Sequence, residues 1–123
     1  MSTWLAIAAI NGALAVAAGA FAAHGLQGRL DATSLATFET GARYHMYHAL
    51  ALGFAAFAMR GDAAPRARLS AWLLLCGIVL FCGSLYAYAL TGAHALVFVT
   101  PLGGVAFLGG WLALAWAALR LKA

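Results

Sequence analysis

Four unbroken apolar stretches, separated by short polar segments, make up most of the chain. They cover residues 3–23, 44–59, 69–90 and 97–119, and a helix needs about 20 residues to cross about 30 Å of hydrocarbon. The apolar residues do not alternate with polar ones and are rich in Ala and Leu, so barrel strands are a poor alternative. The pattern predicts an all-α integral membrane protein, a four-helix bundle that forms a single domain.

Polar residues refine the ends of the first two helices. Asp31 is a favourable N-cap and residues 32–42 contain no proline, so the second helix is expected to cover about 32–59, with 44–59 inside the membrane. No Lys or Arg precedes the first stretch, so we expect it to be a retained helix and not a cleaved signal peptide.

Composition and charge agree with this interpretation and orient the helices. Hydrophobic residues are 66% of the chain, charged residues are 8% and mean hydropathy is +0.94, which leaves nothing for a soluble domain. If each stretch crosses once, one side carries five basic residues, Arg60, Arg66, Arg68, Arg120 and Lys122, and the other carries Arg29 and Arg43. The positive-inside rule then predicts that both termini are cytoplasmic. The lipid bilayer is the expected partner, and no nucleic acid is expected because the basic residues flank membrane segments.

The segment that leads into the second stretch concentrates polar side chains. Glu39 and Arg43 are four residues apart with the acid first, the favourable order for an ion pair on a helix. Tyr44 and Tyr47 suit the aromatic belt at a membrane interface. The segment is therefore predicted to anchor the second helix at the outer side of the membrane.

All four histidines are predicted to lie toward that same outer side. His45 and His48 share a helix face, His24 ends the first helix, and His94 lies in the third loop. The favoured interpretation is a structural hydrogen-bond network, in which His48 is buried and bonded to another helix, with His24 as the leading partner. A zinc or copper site, a haem site and a proton or ligand pathway remain alternatives.

Small and polar residues indicate how the helices pack. Asn11, deep in the first stretch, is expected to hydrogen-bond to another helix. Small residues recur at a spacing of seven on three helices, at Gly12 and Gly19 with Ala15 between them, at Gly77 and Ser84, and at Gly103 and Gly110. Such stripes let helices approach closely, within the chain or between chains. Pro101 is expected to begin or kink the last helix.

Four segments resemble one protein family in order along nearly the whole chain: "AAHGL" at 22–26, "TGARYHMYHALAL" at 40–52, "LFCGSLYAYALTG" at 80–92 and "TPLGGVAFLGGW" at 100–111. The chain is similar to the small bacterial inner-membrane proteins called domain of unknown function 423, or uncharacterised protein family 382, which are related to transmembrane protein 256. The resemblance implies a multi-pass protein of the bacterial inner membrane with four helices. It brings no established reaction, cofactor or substrate.

The family pattern falls on particular residues of this chain. It includes His24 and His48 but not His45 or His94, which weakens a four-histidine metal site, and it places Cys82 where serine is usual. The remaining pattern positions are Gly25, Phe38, Thr40, Gly41, Tyr44, Phe81, Gly83, Ser84, Leu85, Tyr86, Pro101, Gly103, Gly104, Gly110 and Trp111.

In the first functional interpretation the protein is not an enzyme. It acts as an accessory or structural subunit of a membrane assembly, or it forms a homo-oligomer. The sequence has no activated nucleophile, carboxylate pair, nucleotide loop or flavin motif. The second interpretation is a ligand-binding protein whose outer-leaflet site binds a metal, haem, quinone or small anion through His24, Glu39, Arg43, Tyr44 and His48. A small transporter is the third, although no pair of broken helices supports it. The sequence names no cofactor.

Overall fold

The computed structural model describes residues 1–122, and its regular structure is helical. The α-helices are α1 (Ser2–Phe21), α2 (Ala32–Phe57), α3 (Ala64–Gly77), α4 (Gly83–Thr91) and α5 (Thr100–Ala118). A π-helical turn, Ala22–Leu26, extends α1, and a second, Ile78–Cys82, joins α3 and α4 into one continuous helix, which we call the α3–α4 rod. Short 3₁₀ segments, Gly61–Ala63 and His94–Phe98, precede α3 and α5. The all-α prediction is confirmed, with four long helical units.

Three of these four units are long and apolar enough to cross a membrane, namely Ser2–Leu26, Gly61–Thr91 and His94–Ala118. The fourth unit, α2, does not meet this standard of apolarity. Its first three turns contain Thr33, Ser34, Thr37, Glu39 and Thr40. The helix with the most polar sequence is nevertheless one of the most enclosed, because α1 packs against one side of it and the α3–α4 rod against another.

The helices run alternately up and down. Helix α5 packs along the α3–α4 rod, and α1 packs along α2. At one end the N-terminus, the loop before α3 and the C-terminus meet: Trp4 and Trp72 stack edge to face at 5.0 Å, and Lys122 Nζ lies 3.9 Å from Asp62 Oδ2. At the other end the π turn after α1 packs against α2 and α4 through a cluster of Ala22, Leu26, Phe38 and Ala89. The five basic residues near 60–68 and 120–122 therefore share one end.

Local sequence explains where the helices begin. The Asp31 side chain accepts a hydrogen bond of 2.7 Å from the Ser34 backbone N–H, which confirms it as the N-cap of α2. This backbone hydrogen bond lowers the pKa of the exposed Asp31 carboxyl below its usual value. Pro101 lies in the first turn of α5, as expected. Helix α3 begins at Ala64, before the apolar stretch at 69, because Pro65 suits a first helical turn.

Glycines bring α5 into close contact with the α3–α4 rod. A Cβ atom on Gly103 would collide with the backbone of Phe81 in the π turn, and one on Gly110 would lie 2.7 Å from the Leu74 side chain. The Ser70 hydroxyl donates a hydrogen bond of 2.7 Å to the Gly110 carbonyl across the same interface. The glycine stripe of α5 is therefore an internal packing face. By contrast, nothing lies within 4 Å of a Cβ added to Gly12 of α1.

We expect Gly103→Ala to destabilise the fold by about 1–3 kcal/mol, because the added methyl group meets backbone atoms that cannot rotate away. Gly104→Ala is the matched control, since its Cβ would have its nearest neighbour, Phe81 Cδ2, at 4.0 Å. Equilibrium unfolding in mixed detergent micelles, followed by circular dichroism, measures both variants. Equal stability of the two variants would show that the close approach to Phe81 is not required.

Candidate functional site in the helix interior

A chain of hydrogen bonds connects three helices through His45. His45 Nε2 is 3.0 Å from Asn11 Oδ1 on α1, and His45 Nδ1 is 3.0 Å from the Tyr86 hydroxyl on α4. Asn11 Nδ2 in turn donates to the Ile7 carbonyl at 2.9 Å. His45 and Asn11 are both buried. The expectation that Asn11 makes an interhelical hydrogen bond is confirmed.

The partners fix the proton positions in this chain of hydrogen bonds. An amide oxygen only accepts, so His45 Nε2 carries a hydrogen and donates it to Asn11 Oδ1. Nδ1 of an uncharged imidazole is then an acceptor, and the Tyr86 hydroxyl donates to it. Both ring nitrogens of His45 are therefore used inside the protein. A metal ion would have to displace one of these hydrogen bonds.

The network lies near the middle of α1. Asn11 follows Ser2 by nine residues and precedes Phe21 by ten, so it lies near the middle of α1. His45 is bonded to this mid-helix position. Helix α2 begins at Ala32, as expected from the Asp31 cap, and ends at Phe57, two residues before the predicted end. That the four histidines lie toward the outer side of the membrane stays a prediction.

His48 is buried as expected, but its hydrogen-bond partner is not the predicted one. His48 Nδ1 lies 2.6 Å from the Tyr44 carbonyl one turn earlier on α2. A carbonyl only accepts, so Nδ1 carries the hydrogen. The proposed partner, His24, is exposed in the π turn that follows α1. The prediction that His48 hydrogen-bonds to another helix, with His24 first in line, is wrong because the helix's own carbonyl is within reach.

The His48 ring meets the neighbouring helix through aromatic packing. It stacks on Phe107 of α5 with 3.5 Å between ring centroids and 10° between ring planes. The Tyr44 ring is nearly parallel to the His48 ring, with 6.0 Å between centroids. The Trp111 ring lies 5.9 Å from the His48 ring, and the two ring planes are inclined by 68°. These rings and Phe81 border a cavity of about 470 Å³ between α2 and α5, which we call the His48 pocket. His48 is the one histidine of the chain that borders it.

The other candidate ligands do not assemble around the buried histidines. His24 and His94 are exposed. Within residues 1–122, no group of three or more His, Cys, Asp and Glu side chains is placed to hold a metal ion. Of the four histidines, His45 bonds toward α1 and α4, and His48 stacks on α5.

The Glu39–Arg43 ion pair predicted from spacing is not formed. The exposed Arg43 guanidinium instead donates to the Thr40 hydroxyl at 3.2 Å. Both charged residues border a crevice of about 330 Å³ between α2 and α1, whose other walls include Ala15 and Gly19. The favourable order at i, i+4 permits an ion pair but does not enforce it where water competes for both charges.

The sequence pattern predicts no role for three aromatic residues of this interior, Tyr86, Phe107 and Trp111. Tyr86 and Trp111 belong to the family pattern, and Phe107 does not. The signal for Tyr86 was its hydroxyl in the middle of an apolar helix, a group that requires a partner. No local signal marked Phe107, because an apolar ring in an apolar helix is unremarkable until its neighbour is known.

Comparisons with known proteins identify the family. The model of "Protein of unknown function (DUF423)" matches residues 18–104. The chain belongs to this family. A "UPF0382 membrane protein" of Haemophilus influenzae is 43% identical over 120 residues, covering 97% of this chain and 95% of the relative. The "UPF0382 membrane protein YwdK" of Bacillus subtilis is 44% identical and covers 98% of both chains.

Another relative is the "UPF0382 inner membrane protein YgdD" of Escherichia coli, 42% identical over 118 residues, which are 96% of this chain and 90% of that protein. No solved structure matches the chain. The resemblance read from the four sequence segments is confirmed. This DUF423 protein is thus a member of a family of membrane proteins, and its three apolar helices fit that description.

The network around His45 predicts a graded loss of stability. Tyr86→Phe removes the donor to Nδ1, and we expect a cost of about 1 kcal/mol, within the range for hydrogen bonds between membrane helices. His45→Leu leaves the Tyr86 hydroxyl and the Asn11 amide oxygen without this hydrogen-bond partner, and we expect it to lower the free energy of unfolding by about 2 kcal/mol. Tyr88→Phe is the control, because Tyr88 makes no side-chain hydrogen bond within residues 1–122. Unfolding in mixed micelles measures all three, and equal effects of the two tyrosine changes would exclude the network.

Proposed function

We propose that this protein is a non-catalytic structural subunit of the bacterial inner membrane that crosses the bilayer four times and self-associates through α1 and α2. The observation that carries the proposal is a small-residue groove on the surface of these two helices, beside polar groups that are already paired internally. The buried polar side chains hold helices together: His45 and Asn11 join α2 to α1, and Ser70 joins α3 to α5.

Helix α2 is included among the crossing helices because of how its polar groups are placed. His45 and His48 point inward and are buried, and the Thr37 and Thr40 hydroxyls bond to carbonyls one turn earlier. Large apolar side chains, Leu50, Phe54 and Phe57, cover its exposed surface in the second half. A polar helix crosses a membrane when its polar groups face the protein interior.

Charge supports an orientation with both termini in the cytoplasm. The end that carries the loop before α3 and the C-terminus has five basic residues against two at the other end, and Arg60, Arg120 and Lys122 line one crevice there. Short-loop Lys and Arg residues are retained on the cytoplasmic side.

Cysteine labelling in intact cells tests this orientation. In a background with Cys76→Ser and Cys82→Ser, we expect a cysteine at Asp62 to stay unlabelled by a membrane-impermeant maleimide until the inner membrane is opened. A cysteine at Gln27, in the loop at the opposite end, should react without opening. The reverse pattern would overturn the orientation, and labelling of both sites from outside would overturn the four crossings.

The α1–α2 groove has a volume of about 300 Å³ and two glycines in its walls. Gly12 on α1 and Gly53 on α2 would each accept a Cβ with nothing within 4 Å. Phe54 and Phe57 border the same groove and are more than half exposed. Large rings therefore stand beside small-residue gaps on one surface.

A surface that carries both projections and gaps can match a copy of itself about a two-fold axis, which is the commonest symmetry of homo-oligomers. Helix association in lipid depends on such close packing and gains nothing from hydrophobic burial alone. A second copy of this chain is therefore the occupant that the groove fits best.

We expect Gly12→Leu and Gly53→Leu to convert the protein from an oligomer to a monomer, because each leucine fills the groove that receives the partner's ring. Native mass spectrometry from lipid nanodiscs measures the stoichiometry. Gly83→Leu is the matched control, an equally uncovered glycine outside the groove. A wild-type protein that stays monomeric at high protein-to-lipid ratio, or a control that dissociates equally, would overturn self-association through this face.

A further inference from the structure

The His48 pocket combines a polar atom that has no partner with a wall of aromatic rings. The imidazole is held by the Tyr44 carbonyl at Nδ1 and by the Phe107 ring stacked on it at 3.5 Å, and the Tyr44 ring lies nearly parallel to it at 6.0 Å. His48 Nε2 makes no hydrogen bond with any other described residue. The residue as a whole is only 5% exposed, but Nε2 is not among the fully enclosed side-chain atoms that lack a partner, so this nitrogen remains accessible from outside the helices. Because Nδ1 carries the hydrogen, Nε2 of the uncharged ring presents a lone pair.

An unpaired acceptor in this position is costly. His48 is nine residues before the end of α2 at Phe57, which places it about 14 Å from that end of the helix. A position at this depth lies within hydrocarbon when α2 crosses the membrane, and a polar group without a partner there loses free energy relative to water. A ligand that donates one hydrogen bond to Nε2 would remove this cost.

The remaining walls specify the rest of such a ligand. Phe81 in the π turn lies 4.9 Å from Tyr44 and 5.3 Å from Phe107 between ring centroids. With Trp111, these rings offer faces and edges for an aromatic guest. The volume of about 470 Å³ lies within the range of small-molecule pockets. Gly104 of α5 leaves its side of the pocket open.

The pocket opens on the outer surface of the helices. Tyr47, Leu108 and Trp111, which border it, are all substantially exposed. A guest would therefore enter sideways from the lipid phase. None of the described residues that border the pocket is charged, so an ionic headgroup would meet no counter-charge from them.

We infer that the His48 pocket binds the uncharged hydroxylated aromatic headgroup of a membrane-soluble molecule, of the hydroquinone class, through an O–H donated to His48 Nε2 with the ring packed among Tyr44, Phe81 and Trp111. The inference concerns binding and assigns no redox step. It shares with the proposed function only the crossing of the membrane by α2, and it does not depend on self-association.

Competition binding in lipid nanodiscs tests the inference, with tritiated 2-decyl-1,4-hydroquinone as the probe under anaerobic conditions and empty nanodiscs to correct for partitioning. We expect unlabelled hydroquinone to compete about five- to tenfold better than its dimethyl ether, which has no O–H to donate, because one buried hydrogen bond is worth about 1 kcal/mol. 1-Dodecanol, a donor without a ring, should compete more weakly than the hydroquinone. Equal competition by the dimethyl ether overturns the role of Nε2, and equal competition by dodecanol overturns the aromatic class.

Two variants locate the site. His48→Phe retains a ring that can stack on Phe107 but has no acceptor, so the preference for hydroquinone over its dimethyl ether should disappear. Gly104→Leu places a side chain in the pocket, and its Cβ would have its nearest neighbour at 4.0 Å. We therefore expect this variant to lose probe binding while its thermal unfolding stays unchanged. A preserved preference in the first variant, or preserved binding in the second, overturns the assignment.

Gly12→Leu separates this inference from self-association. It alters the α1–α2 groove, which shares no residue with the His48 pocket. We expect Gly12→Leu to dissociate the oligomer and to bind the probe as the wild type does. Loss of probe binding in Gly12→Leu would show that the pocket requires the oligomer and would overturn the site as a property of the single chain.

Discussion

Hydrogen bonds between buried side chains on different helices are the interaction on which this structure depends. The polar helix α2 lies among apolar neighbours, and its position there requires that His45 find partners on both sides. Asn11 and Tyr86 provide them at 3.0 Å each, with every proton position fixed by the next partner. Because each partner lies on a different helix, these bonds also specify the register of α1 and α4 relative to α2.

Close approach of backbones holds α5 against the α3–α4 rod. Helix α5 has no polar side chain in the middle of its length, and it holds its place through Gly103 and Gly110, which admit Phe81 and Leu74. The π turn Ile78–Cys82 lies at this contact. One half of the protein is thus joined mainly by side-chain hydrogen bonds. The other half relies on glycine packing together with two hydrogen bonds, one from the Ser70 hydroxyl to the Gly110 carbonyl and one between the Ser84 and Thr100 hydroxyls.

Two histidines one turn apart on α2 illustrate how the surroundings decide the chemistry of a side chain. Both ring nitrogens of His45 make hydrogen bonds inside the protein. This side chain therefore stabilises the helix packing and has no free nitrogen for a ligand. His48 uses one nitrogen on its own helix, and its ring is positioned by Phe107, so the other nitrogen is held in place with no partner among residues 1–122. A fixed, unpaired acceptor beside an aromatic cavity is suited to recognition, because its orientation is established before a ligand arrives.

The sequence by itself determined the number and type of helices, the capping of α2 by Asp31, the common end of the basic residues and the family, because apolar length, capping and charge act locally along the chain. It also predicted that Asn11 would bond across helices, since an amide in hydrocarbon requires a partner. The identity of the partners on other helices was decided by the tertiary structure: Tyr86 bonds to His45, and Phe107 stacks on His48. Within α2, nearer groups replaced the predicted partners, since Arg43 donates to Thr40 and His48 donates to the Tyr44 carbonyl. Spacing along one helix fixes which residues share a face, but the packing of neighbouring helices fixes what that face meets.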